Sequence, residues 1–222
     1  MTRLTRKEKQ ARTRACLLAA AERIFARRGL ERASVDEVAE DAGFTKGAFY
    51  ANFKSKEELF LVMLDEKFAA EIERLDRALQ GGADPREQAR AAGVEFIRFV
   101  RADPDWLRLY FEFVSYAARN EDFREELQTR YAALRGRMVE LLRRWSADFP
   151  AEPPYSYEEI VSMMFCMADG FFVQQQIDPE LPDELYGKLI AAFFAGIQAL
   201  AVGWEAPPRR SAAAGRSQAA GE

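Results

Sequence analysis

Residues 34–53 read S-V-D-E-V-A-E-D-A-G-F-T-K-G-A-F-Y-A-N-F, and this stretch decides the fold. Ser34-Val35-Asp36-Glu37 is a capping box, in which the Ser34 hydroxyl and the Glu37 carboxylate satisfy orphan backbone donors at a helix start. That helix is short and stops at Gly43, a residue able to take the left-handed conformation a tight turn requires. A second short helix starts at Thr45 and ends near Ala51. Two short helices joined by a glycine turn form the helix-turn-helix pattern. Ala39 is small where the helices cross. Val38, Phe44, Phe49 and Phe53 point inward, and the opposite face of the second helix carries Thr45, Lys46, Ala48, Tyr50 and Asn52.

That face has what a reader of the DNA major groove needs. Gly47 and Ala48 let the backbone approach base edges, and the Ala48 methyl can touch a thymine methyl. Lys46 can donate to guanine or to phosphate. Tyr50 and Asn52 offer donors to phosphate oxygens, which fix register without reading sequence. Ser34, Ser55 and Lys56 sit at helix N-termini, where free amides and the helix dipole favour phosphate.

Outward from this segment, helical spacing continues and strand signals are nearly absent. A helix from about Lys9 to Arg28 precedes it, with Leu17, Leu18, Ala21, Ile24 and Phe25 on one stripe and Gly29 as its stop. A box at Ser55-Lys56-Glu57-Glu58 opens a long helix to about Leu79, which Gln80-Gly81-Gly82-Ala83-Asp84-Pro85 breaks. Helices follow near 86–101, 104–119, 122–149, 157–177 and 182–204, with Pro150, Pro153 and Pro154 as a further break. The expectation is an all-α chain of about nine helices. It divides into a basic arm (1–9), a helix-turn-helix head (10–56), a helical ligand-binding and dimerisation domain (57–204) and a disordered tail (205–222) rich in Pro, Arg, Ser, Ala and Gly.

The run G-F-T-K-G-A-F-Y-A-N-F-K-S-K-E-E-L-F (Gly43 to Phe60) resembles the signature of tetracycline-repressor (TetR) type transcriptional regulators. A-A-A-E-R-I-F-A-R-R-G (Ala19 to Gly29) is similar to the first helix of the same family, and D-P-D-W-L-R-L-Y-F-E-F (Asp103 to Phe113) to the C-terminal halves of some members. The resemblance implies base contacts at Lys46 and Gly47, and phosphate contacts at Thr45, Tyr50, Asn52 and Lys56. Asn52 stands where His is common in the family. Few side chains here are long enough for base contact, so DNA shape takes a larger share of specificity.

Composition and charge agree with a two-part chain. The 222 residues carry a formal net charge of −4, with 49 % hydrophobic and 31 % charged residues. Residues 1–60 carry net +4, from 13 Lys+Arg and 9 Asp+Glu, whereas residues 61–205 carry net −10, from 16 and 26. A basic head on an acidic body points to a polyanion partner for the head. There is no His and there are 2 Cys, so no Ser-His-Asp or Cys-His catalysis and no His-containing or Cys₄ zinc site can be built. No phosphate-loop or dinucleotide motif occurs, and no cofactor or metal is expected. Cys16 and Cys166 read as small buried hydrophobes in a reducing cytoplasm. No signal peptide is read at the N-terminus, and Leu189–Trp204 falls short of the roughly 20 apolar residues a membrane span needs.

The acidic body offers a candidate ligand cavity between helices, apolar with a few polar groups. Its expected walls are Phe96, Trp106, Tyr110, Phe113 and Phe165, with Glu112 or Asp169 orienting a donor or cation on the ligand. Glu95 and Gln174 are further polar residues inside apolar stretches. The last two helices are apolar on more than one face although they lie near a chain end. A homodimer interface resolves this, with Phe171, Phe172, Leu189, Phe193, Phe194 and Ile197 as its expected residues and Gly170, Ala192 and Gly196 allowing close approach. The reading is a cytoplasmic, ligand-responsive regulator, a repressor that binds palindromic operator DNA as a homodimer and is released by a small apolar effector. The alternative is an all-helical small-molecule-binding protein without DNA function, and a carboxylate enzyme stands third. A mobility shift on DNA separates the first two.

Overall fold

The computed structural model describes residues 5–80, 84–149 and 151–203. Among them it has nine α-helices and no strand: α1 (Arg6–Arg32), α2 (Val35–Asp41), α3 (Lys46–Tyr50), α4 (Lys56–Leu79), α5 (Pro85–Arg101), α6 (Pro104–Ala117), α7 (Glu121–Trp145), α8 (Tyr157–Ile177) and α9 (Asp183–Ala201). The order and number are those the periodicity predicts. The tail from 205, the Gly81–Ala83 break and Pro150 lie outside the described residues, as does the beginning of the expected arm.

Two boundaries differ for local reasons. The basic residues 6–9, expected as an arm, are the first turn of α1, because Thr5 and Glu8 form a capping box that nucleates the helix three residues earlier. Gly29, expected as the stop, adopts φ +75° and breaks the helical path, but one more turn follows to Arg32. At Ser55 only half of the predicted box forms. The Ser55 hydroxyl accepts from Glu58 N–H at 3.1 Å, while the Glu58 carboxylate accepts instead from the Lys54 N–H. Gly43 takes φ +74° as the turn requires.

The head is α1–α3 closed over Leu17, Val38, Phe49 and Phe53, all nearly fully buried. Ion pairs clamp α2 to α1: Arg23 to Asp41 at 2.5 Å and Arg28 to Glu37 at 2.9 Å. Helix α4 leaves the head and runs into the body. Phe60, on its second turn, stacks against Phe25 of α1 (centroids 5.8 Å), Phe113 of α6 (5.7 Å) and Phe123 of α7 (6.3 Å). Lys67 adds a polar tie, paired with Glu22 of α1 at 2.9 Å and with Asp103, the N-cap of α6. Head and body therefore share one core.

In the body, α5 packs between α4 and α9, and α7 between α4, α6 and α8. The α5–α9 contact is very close. A Cβ placed on Gly187 would lie 2.6 Å from Val94 Cγ2 and 2.8 Å from the Arg90 carbonyl, and one on Gly93 would lie 3.0 Å from the Gly187 Cα. Gly187→Ala is expected to force these helices apart and cost about 1–3 kcal/mol. Calorimetric unfolding checks this, since a variant as stable as wild type would mean the crossing is not tight.

Helix α9 is long and apolar enough to cross a membrane by length and composition. Here it lays Tyr186, Gly187, Ile190, Phe194 and Ile197 inward and leaves Leu185, Leu189 and Leu200 exposed. Four of the six residues expected at a dimer interface are thus core: Phe171, Phe172, Phe194 and Ile197 are each no more than 8 % exposed. Leu189 is exposed and Phe193 half-buried. The outward apolar face is instead Val173 and Ile177 of α8 with Leu185, Leu189 and Leu200 of α9, beside the exposed small residues Gly170, Ala192 and Gly196. The cysteines depart from expectation too: Cys16 is half-buried and Cys166 exposed.

Candidate nucleic-acid interface and ligand cavity

Helix α3 is held by its inner side chains and presents its outer ones. Thr45 caps it by accepting from the Ala48 N–H at 3.3 Å. Phe49 is sealed beneath, edge-on to Tyr50 (5.5 Å) and tilted against Phe53 (5.8 Å). Thr45, Lys46, Gly47 and Tyr50 are exposed together and Ala48 is half-buried beside them. Lys46 Nζ bonds Asp36 of α2 at 2.8 Å, and that hydrogen bond holds its ammonium above the ordinary lysine range. The cation is therefore already oriented on the outer face.

Three expected DNA contacts are turned to structural use. Asn52 donates Nδ2–H to the Ala48 carbonyl at 2.8 Å, one turn back, and its Oδ1 is buried without a partner. Lys56 donates to the carbonyls of Glu31 and Ala33, both at 2.9 Å, neutralising the end of α1. The Ser34 hydroxyl is used within its own capping box. Each meets backbone groups at or near a helix terminus, where unpaired donors and carbonyls compete for a polar side chain. Arg14, not among the expected contacts, spans α1 and the end of α3. It lies 4.4 Å from the Phe53 ring centroid and donates to the Asn52 carbonyl at 3.3 Å. Arg6, Lys7, Lys9 and Arg12 are exposed along the start of α1.

The body holds a partly open apolar cavity in two adjoining lobes of about 70 Å³ and about 50 Å³. Phe96, Phe165, Ala168 and Glu71 border both. The larger lobe continues between α4, α5, α7 and α9 to Trp145, whose Nε1–H donates to Gln88 at 2.8 Å. The smaller lobe reaches Trp106, Tyr110, Tyr131 and Asp169. There the Tyr110 hydroxyl donates to the Asp169 carboxylate. Burial raises the Asp169 carboxyl and the Tyr110 phenol above their ordinary ranges, with the shared hydrogen bond lowering the former and raising the latter. Tyr110, Tyr131 and Asp169 also border an open groove on the outside, with Arg124 and Arg135.

Five of the seven expected ligand residues therefore line the cavity: Phe96, Trp106, Tyr110, Phe165 and Asp169. Phe113 does not. It is fully buried between Phe60 and Tyr110 as part of the core. Glu112 lies on the opposite face of α6, exposed, with its carboxylate against Gly29 in a separate surface cleft that also holds Arg108. Glu95 is paired with Arg98 at 2.8 Å. Two of the residues expected at the dimer interface, Phe172 and Phe194, line the cavity instead.

Glu71 is the acidic residue of the cavity that the sequence reading misses, beside the phenols of Tyr131 and Tyr186. It stands half-buried at the junction of the lobes, and burial pushes its carboxyl up to about 8. A signal was present. Leu64, Phe68, Glu71, Leu75 and Leu79 fall on one stripe of α4 at spacings of three and four, so an acid interrupts an apolar stripe.

Comparison with known proteins places this geometry. Residues 17–63 match the family described as bacterial regulatory proteins of the tetR family, and residues 85–199 match the BetI-type transcriptional repressor C-terminal domain. The transcriptional activator FasR of Mycolicibacterium smegmatis is 36 % identical over 110 residues, 50 % of this chain and 48 % of that protein, so the match spans about half of FasR's length. The transcriptional regulator YfiR of Bacillus subtilis is 28 % identical over 170 residues, 74 % of this chain and 80 % of its own. Among solved structures, the transcriptional regulator FadR from Bacillus subtilis in complex with stearoyl-CoA shares the fold with a TM-score of 0.63 at 17 % identity, covering 86 % of this chain and 99 % of that one. A head that exposes α3, a six-helix body (α4–α9) and family matches over both parts converge: this chain belongs to the tetR family and is a helix-turn-helix transcriptional regulator.

Proposed function

We propose that the chain is a cytoplasmic repressor that binds a palindromic operator as a homodimer and releases it when a small, mostly apolar effector fills the cavity. The observation that carries this is the course of α4. One uninterrupted helix has Leu59 and Phe60 buried near the head and Glu71, Leu75 and Leu79 on the cavity wall. A ligand pressing on the second half moves the first, and with it α3. Such a ligand shifts the equilibrium only by its differential affinity for the two head spacings.

The repressor role follows the BetI-type repressor match over the body. The apolar effector follows the cavity lining, which is almost wholly aliphatic and aromatic. The exposed apolar face of α8 and α9 supports two-fold pairing, which places two α3 helices on half-sites one or more turns apart, roughly 34 Å for one turn. On DNA, Lys46 exchanges Asp36 for a base edge or phosphate, Tyr50 bonds phosphate, Thr45 lies beside it, and Gly47 and Ala48 let the backbone approach. Asn52, Lys56 and Ser34 brace this surface from behind.

The test is operator binding by variants of the outer face. Lys46→Ala is expected to weaken operator binding by about tenfold, from the loss of one charged contact. Tyr50→Phe is expected to lose about fivefold on every sequence alike, the worth of roughly one hydrogen bond. A mobility-shift titration at low and high salt measures both. Wild-type affinity for both variants would show that α3 is not the recognition helix.

A further inference from the structure

The cavity wall contains acids and no base. Glu71 and Asp169 are its carboxylates, and neither lobe has a Lys or Arg in its lining. Asp169 is satisfied by Tyr110 at the rim. Glu71 differs: it lies at the centre, and among the described residues its carboxyl has no hydrogen-bond or ion-pair partner. The titratable groups that face it are the phenols of Tyr131 from α7 and Tyr186 from α9, with Asp169 of α8 beyond them. The rings of Phe96 and Phe165 border both lobes with it. An unpartnered carboxyl in such surroundings is costly, and the cost is offset when a ligand supplies the missing partner.

We propose that Glu71 selects, within the effector cavity, apolar ligands that carry one basic nitrogen. This rests on the reading of the cavity as the effector site. A protonated nitrogen beside Glu71 is held by the carboxylate on one side and by aromatic faces on the others, two attractions that add in a largely apolar cavity. A ligand carboxylate or phosphate in the same place meets like charge and no guanidinium. The proton balance is simple. A ligand that enters as an ammonium displaces the Glu71 proton to solvent; one that enters as a free amine takes that proton from the carboxyl oxygen onto its nitrogen. Both routes end in the same ammonium–carboxylate pair. The lobes are small, so the ligand is ring-sized rather than a long chain, and Met138 and Met164 in the wall are the side chains adaptable enough to seat it.

The experiment compares two probes of one shape, N-benzylisopropylamine and benzyl isopropyl ether, titrated into the full chain by calorimetry. Wild type is expected to bind the amine at least about tenfold more tightly than the ether. Glu71→Gln, which keeps size and polarity, is expected to level the two affinities, and a thermal melt verifies its fold. An amine preference that survives in Glu71→Gln would overturn the proposal. Ether binding as tight as amine binding in wild type would overturn the ligand class while leaving the cavity as effector site. If neither probe binds at millimolar concentration, the cavity reading itself fails, and the proposal with it.

Discussion

Phe60→Ala is expected to remove about 3–5 kcal/mol of folding stability, among the largest effects of any single truncation in this chain. Its ring is fully buried and touches aromatic rings from three other helices, α1, α6 and α7. Deleting it removes apolar burial and leaves a cavity that cannot collapse, since the surrounding rings are fixed by further contacts, Phe113 on Tyr110 at 5.0 Å and Phe123 on Tyr116 at 5.0 Å. The position also gives the loss a direction. Phe60 is the hydrophobic joint between head and body, so the variant loses register between α3 and the cavity as well as stability. Calorimetry is expected to show a melting temperature lower by roughly 10 °C. A loss under about 1 kcal/mol would mean that head and body fold on separate cores.

Glu71→Gln is expected to act in the opposite sense and only above acid pH. The folded-state carboxyl is raised to about 8 by burial, against an ordinary value of 4.5. Between those values the unfolded chain has Glu71 ionised and the folded chain has it protonated, so folding takes up a proton and stability falls as pH rises. The stability is fully present below the ordinary value, is lost progressively toward the folded value and then levels off. Glutamine has nothing to ionise. The variant is therefore expected to match wild type near pH 4.5 and to exceed it by about 3–4 kcal/mol at pH 8. Asp65 and Asp169, whose carboxyls burial also raises, tilt both proteins alike and cancel in the comparison. Denaturant melts across that range measure the difference. Parallel curves for the two proteins would show that Glu71 does not bury a proton.

These predictions rest on residues of very unequal legibility. Phe60 is readable in the sequence as part of the Gly43–Phe60 signature. Glu71 is readable only in retrospect, because one acid in a stripe of Leu and Phe looks the same whether it ends in solvent, in an ion pair or in a cavity. Lys67, four residues earlier on the same helix, ends in ion pairs with Glu22 and Asp103. Nothing in the local spacing separates the two fates.

The same asymmetry runs through the DNA face. Thr45, Lys46, Gly47 and Tyr50 are exposed as the pattern predicts, because on so short a helix the buried Phe49, with Phe53 just past its end, determines what faces out. Asn52 and Lys56, for which the resemblance implies phosphate contacts, already spend their donors on backbone carbonyls at or near helix ends, which local spacing does not reveal. Glu112 fails for a related reason. Helix α6 is apolar on one side, and the side chain one position before Phe113 lies on the other.

The sequence by itself determined the nine helices, the turn at Gly43 and the outward face of α3. Each of these is local: caps, a left-handed glycine and apolar spacing act within a turn or two of chain, so neighbouring letters carry the information. Only the tertiary structure decided which face of α8 and α9 belongs to this subunit's own core. Both helices are apolar nearly all round, and hydrophobic burial is non-directional, so composition cannot say whether Phe172 and Phe194 pack inward or against a partner. The close Gly93–Gly187 crossing sets the α5–α9 packing, and with it α9 turns Phe194 to the cavity and Leu189 to solvent.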